Sequence, residues 1–154
     1  TSLTNIHLYN ETNTIKKYDD IESILREYCR VRLDLYKKRK EHQLRNLDHA
    51  IQVITAKCKF ILEIIEGLLI IQKRSKENII QQLVDREYPK VNDSYDYLLR
   101  LPIYTLSQEE IDKLMKEKGE LLEERAELYK LSIEDIWLLE LSIFEKYYKK
   151  FLKK

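Results

Sequence analysis

Glycine and proline are nearly absent from this chain, with two of each in 154 residues. So little punctuation leaves few places where a helix must stop, and it excludes any glycine-rich loop able to cradle a phosphate. Cysteine is as sparse. Cys29 and Cys58 fall in what reads as one helix, where a rise of about 1.5 Å per residue sets them roughly 43 Å apart and forbids an internal disulfide. That fits an intracellular chain. No apolar run approaches the roughly 18 residues a membrane span requires, and no signal-peptide pattern is present. An excess of either charge is missing too: 28 Lys and Arg stand against 27 Asp and Glu, so net charge announces no polyanionic partner. The opening Thr1-Ser2-Leu3-Thr4 contains no methionine, and the chain is expected to be an excised part of a longer protein whose neighbours carry the chemistry.

What is present is a composition of 36% charged and 44% hydrophobic residues, the balance of helices with one buried stripe and a wide solvated face. The expected fold is mainly all-α: a long antiparallel two-helix coiled-coil arm with a helical dimerisation tip, preceded by a short β-hairpin. Ile6 to Tyr9 and Thr14 to Tyr18 flank the turn-prone Asn10-Glu11-Thr12-Asn13 and predict the hairpin over residues 1–19. A lone hairpin is marginal in water, so it is expected to complete a sheet of a preceding domain. Asp19 or Asp20 caps a helix running to about Glu66, whose residues 20–59 form the outgoing arm. Its stripe is Ile21, Ile24, Tyr28, Val31 and Leu35, then, in a neighbouring phase, Leu44, Leu47, Ile51, Ile54, Cys58, Ile61 and Ile65. The phase change predicts a bend or a change of partner.

Residues 60–106 are expected to form the tip. Phe60 to Ile71 is the most apolar stretch, with Gly67 inside it as a helix C-cap. Ser75 caps a short helix from Lys76 to about Glu87, ended by Pro89. Ser107 with Glu110 makes a capping box that starts the returning helix, 107–131, with Ile111, Leu114, Leu121 and Leu128 in the seam and Lys118 and Arg125 between them. Ser132, with Glu134 and Asp135, starts a closing helix over 132–154. If Leu68 to Ile71 and Tyr97 to Tyr104 packed only within one chain, a thin arm would have to hide them at its end; a two-fold self-contact buries them more naturally.

Candidate chemistry is thin. His42 and His49 stand seven apart with no further ligand at metal spacing, so no metal site is expected. Cys58 has no neighbouring base and lies in the seam, which favours a core role over nucleophilic attack. Among eleven tyrosines none is marked as a nucleophile. Lys37-Lys38-Arg39-Lys40 and the tail Lys149, Lys150, Lys153 and Lys154 read as solvated helix faces before they read as nucleic-acid contacts. No catalytic, cofactor or metal residue is expected in this chain.

Several separated segments are nevertheless familiar: Ile15-Lys16-Lys17-Tyr18-Asp19; Val31-Arg32-Leu33 with Tyr36 and Arg39-Lys40; Phe60-Ile61-Leu62-Glu63 with Gly67; Tyr97-Leu98-Leu99 with Leu101-Pro102-Ile103 and Leu106; and Asp135-Ile136-Trp137. In order and spacing they resemble the C-terminal part of the breakage-reunion core of eukaryotic-type DNA topoisomerase II. The resemblance implies an exit gate, or C-gate, in which the tips of two arms meet and part to release a transported duplex. It implies a homodimer through Ile64, Leu68, Leu69, Ile70, Ile71, Tyr97, Leu98, Leu101, Pro102, Ile103 and Tyr104, with no membrane partner. ATP, Mg2+ and double-stranded DNA would be cofactors and substrate of the full-length enzyme, with weak or no DNA binding by this part. The chain departs from the family at Leu68, where a lysine is frequent, and in its short Tyr88–Tyr95 connection. Those short loops and the Ile, Lys, Tyr and Asn bias are similar to what large DNA viruses encode; a viral protein would be expected in a viral factory in the host cytoplasm, a cellular one in the nucleus. The alternative is a stand-alone coiled-coil adaptor that binds partner helices through the same seam.

Overall fold

A computed structural model describes residues 5–153; Thr1 to Thr4 and the tail residue Lys154 lie outside the described residues. Packing divides the chain into two compact units, one of Thr1–Gln43 with Tyr129–Lys154, the other Leu44–Leu128. A 45-residue helix, α1 (Ile21–Ile65), contributes to both, as the scarcity of breakers predicts.

The first unit opens with strands β1 (Ile6–Tyr9) and β2 (Ile15–Tyr18), paired antiparallel from Ile6 opposite Tyr18 to Tyr9 opposite Ile15. The Asn10 carboxamide oxygen accepts from the N–H of Thr12 (3.1 Å) and of Thr14 (2.9 Å), closing the turn as an Asx residue can. Asn13 takes φ +58°, a conformation asparagine tolerates. Ion pairs Lys16–Glu27 (2.6 Å) and Arg30–Glu11 (2.8 Å) tie the hairpin to the start of α1. The Asp20 carboxylate caps α1, accepting from the Ser23 N–H at 2.7 Å.

In this unit α1 meets the closing helix α5 (Ile133–Leu152), but not through the expected aliphatic stripe. Ile21, Tyr28 and Leu35 are about half exposed, whereas Tyr36 is buried at 3%. Tyr36 stacks on Trp137 with ring centroids 6.0 Å apart and donates its hydroxyl to Glu140, which also accepts from Arg39 at 2.7 Å. The contact face therefore follows an aromatic and a shared carboxylate rather than that stripe. The basic run beside it divides. Lys37 and Lys38 are exposed, while the Lys40 ammonium donates to the carbonyls of Tyr129 (3.1 Å) and Leu131 (2.5 Å), groups left open where the preceding helix ends.

In the second unit α1 pairs with α4 (Gln108–Lys130) through the expected seam: Ile54, Cys58 and Ile61 pack with Ile111 and Leu114. Arg125 reaches across to Asp48, so the charged seam position is held by an ion pair. The change of stripe phase on α1 between Leu35 and Leu44 thus coincides with its change of partner, from α5 to α4. Ser107 accepts from the Glu110 N–H at 3.3 Å at the start of α4. Burial pushes the Cys58 thiol up, away from nucleophilic use.

A second core joins Ala56, Phe60, Leu69, Leu83, Tyr88, Tyr95 and Leu98, using α2 (Lys76–Asp85) and the single turn α3 (Asp96–Leu99). Ser75 caps α2 by accepting from the Asn78 N–H. The expected span to Glu87 is two residues too long. Glu87 turns left-handed at φ +56°, its N–H donates to Val84, and the Tyr88 N–H donates to Leu83. This Schellman ending lets Tyr88 pack on Leu83 in the core.

Candidate functional site

The apolar stretch at the end of α1 resolves into inward and outward residues. Gly67, at φ +72°, ends the helix: its N–H donates to Ile64 (3.1 Å) and the Leu68 N–H donates to Glu63 (2.8 Å). After this turn the side chains alternate, with Leu68 55% exposed, Leu69 2% and Ile70 50%, the period of extended chain. The Gln82 side chain holds this segment, its amide donating to the Ile70 carbonyl (3.2 Å) and its oxygen accepting from the Ile70 N–H (3.4 Å). Arg86 donates to the Leu68 carbonyl at 2.6 Å.

Beneath it lies Glu63, the carboxylate in the middle of the most apolar run. It accepts from the Tyr88 hydroxyl (2.9 Å), pairs with Arg86 (3.2 Å) and has Lys59 at 3.9 Å. A largely buried carboxylate requires such partners. Burial, then the bond to Glu63, raises the Tyr88 hydroxyl well above the ordinary tyrosine range. Sequence reasoning left Glu63 without a role; the run Phe60 to Ile71 holds two acids, Glu63 and Glu66, and only the fold shows that Glu63 is the one turned inward to Tyr88 and Arg86.

The second segment of the surface is Tyr97 to Leu106. Tyr97 donates to the Pro89 carbonyl at 2.7 Å, and burial pushes its hydroxyl up to about 12. Leu98 is 1% exposed, and Leu101 packs against both cores of this unit. Pro102 then leads into a 3₁₀ turn, Ile103–Thr105. Thr105 closes that turn, both its N–H and its hydroxyl donating to the Pro102 carbonyl. The turn carries Ile103, 85% exposed, and Tyr104, 82% exposed.

Of the eleven residues expected at a dimer contact, Leu69 and Leu98 are thus internal to one chain, and Ile64, Ile71, Tyr97 and Leu101 are half-buried against its cores. The tip hides far more of its apolar residues than a bare two-helix arm could, because α2 and α3 cover them. Leu68, Ile70, Pro102, Ile103 and Tyr104 remain exposed. Between the two segments lies a cleft of about 420 Å3, bordered by Ile64, Gly67, Leu69, Ile70, Ile71, Gln72, Ile103 and Leu106. Its lining carries no ionisable group, so it offers contact rather than proton transfer or ligation. Among the described residues no three His, Cys, Asp or Glu side chains gather as a metal would need, and no helix is long and apolar enough to cross a membrane.

Comparison with known proteins gives these features a setting. The family profile for the A-type subunit of DNA gyrase/topoisomerase IV matches residues 1–142; the chain belongs to this family. It is 38% identical to DNA topoisomerase 2 of Acanthamoeba polyphaga mimivirus, over 96% of this chain and 12% of that protein. It is 29% identical to DNA topoisomerase 2 of Saccharomyces cerevisiae, over 99% of this chain and 14% of that one. Its fold matches the Plasmodium falciparum topoisomerase II DNA-binding, cleavage and re-ligation domain with a TM-score of 0.80 at 24% identity, covering all of this chain and 25% of that one. The chain therefore spans a small fraction of the length of these relatives.

Proposed function

We propose that this chain is the exit gate of an ATP-dependent type II DNA topoisomerase: two copies close through their tips and part to release a duplex after strand passage. The observation that carries the reading is that Leu68, Ile70, Ile103 and Tyr104 stay exposed on a well-packed unit, with Ile70 and Ile103 bordering one apolar cleft, in a chain of this family. Exposed apolar side chains around such a cleft, next to a core built from the same segments, are what a contact surface presents. Bond breakage and ATP hydrolysis, with their Mg2+, fall in this reading to other parts of a longer protein.

The test is self-association of the 154-residue chain, followed by light scattering from about 1 to 100 μM. A dimer is expected, with Ile70→Asp shifting it to monomer while circular dichroism keeps its helical signal, because an unpaired charge at a contact is costly to bury. Ile70 is half exposed in one chain, so the same change leaves the fold intact. A chain that stays monomeric throughout this range sinks the reading.

A further inference from the structure

The tip surface carries a projection beside a recess. Tyr104 stands on the 3₁₀ turn, 82% exposed, and does not border the cleft of its own chain, while its neighbour Ile103 forms part of the wall. Ile64, Leu69, Ile70, Ile71 and Leu106 supply apolar surface to that cleft, and Gln72 supplies an amide. A tyrosine suits such a recess on both counts: the ring finds apolar walls, and the hydroxyl finds a polar partner. We propose that Tyr104 is the anchor of the tip contact, each copy seating its phenol ring in the cleft of a second copy. This rests on the exit-gate reading and names the contact within it.

The occupant follows from self-complementarity. Projection and recess are adjacent on one surface, so a two-fold axis sets both against their counterparts at once. A head-to-tail contact instead builds rings or filaments of more than two copies, whereas the two-fold arrangement satisfies both at once in a dimer. The area agrees. At their fractional exposures Leu68, Ile70, Ile103 and Tyr104 leave roughly 500 Å2 uncovered per copy, so a symmetric pair that covers them fully removes up to about 1,000 Å2, near the level at which specific interfaces begin.

Sedimentation of the 154-residue chain and its variants, with paired-cysteine mapping, tests this. Tyr104→Ala is expected to weaken dimerisation on the order of thirtyfold, as loss of a central aromatic anchor does. Tyr104→Phe keeps it within about threefold, the apolar walls supplying most of the contact. Neither changes helicity, since the side chain is exposed. In a Cys29→Ser background, where Cys58 is buried, chains bearing Tyr104→Cys and chains bearing Gln72→Cys are mixed and oxidised; the mixed disulfide is expected to dominate. Wild-type affinity in Tyr104→Ala, or cross-linking only between two Tyr104→Cys chains, overturns the anchor while leaving an Ile70→Asp-sensitive dimer, and with it the exit-gate reading, standing. A wild-type chain that never dimerises overturns both.

Discussion

Two residues of the second unit end helices in the left-handed conformation, and they differ in what that conformation costs. Gly67 adopts φ +72° with nothing within 4 Å of where a Cβ would stand. The penalty of Gly67→Ala is therefore conformational alone, and urea denaturation should show a loss of about 1 kcal/mol. Glu87 adopts φ +56° in the corresponding place at the end of α2, where a side chain is strained. Glu87→Gly should accordingly raise stability by about 0.5 kcal/mol. In the first unit, the hydrogen bond from Tyr36, opposed by burial and helped by a smaller contribution from Arg39, holds the Glu140 carboxyl below the usual glutamate range. A depressed carboxylate stabilises fully above its unfolded value and loses that contribution as pH falls through its folded one. Trp137, the chain's one tryptophan, stacks on Tyr36 and reports on this contact. Its fluorescence should change on acidification below about pH 4, and Glu140→Gln should remove that limb of the titration.

At the scale of elements, the legible features were those set by local chemistry. Asp20, Ser75, Ser107 and Ser132 each stand where a helix begins, and the Ser132–Asp135 capping box is complete, because a cap needs only its own turn. The seam of α1 with α4 was legible as well, and its charged position shows which forces dominate. Asp48 and Arg125 are each more than a third exposed, so Asp48→Asn should cost less than about 1 kcal/mol. Leu114→Ala, in the core with Ile54 and Ile61, should cost about 2–3 kcal/mol; denaturant midpoints separate the two. The contact of α1 with α5 was not legible. An alternating stripe names the apolar side of a helix, and here a tyrosine bonded to a distant glutamate decided which side met the partner.

Over the whole molecule, buried side chains are unevenly shared. Tyr18 and Tyr36 are the buried hydrophobic residues described in the first unit, whereas both core clusters, and every side chain buried completely, lie in the second. From Leu141 onward α5 is exposed along its described length, including Phe144, Tyr147 and Phe151. Hydrogen exchange follows local burial, so amides around Ile54 to Ile61 should exchange at least about tenfold more slowly than those of Ile143 to Phe151. Equal protection in the two segments would contradict this distribution.

The sequence by itself determined the four longer helices, their caps, the hairpin, the phase change on α1 and an apolar stretch after it, since each depends on residues within a few positions of one another or on one periodicity; the single turn α3 and the 3₁₀ turn at Ile103 carried no such signal. Only the tertiary structure decided how that stretch is divided. Leu68, Leu69, Ile70 and Ile71 are chemically interchangeable in the sequence. It took the left-handed turn at Gly67, the Gln82 and Arg86 bonds to the backbone, and the cover given by α2 and α3 to bury Leu69 and leave Leu68 and Ile70 facing outward.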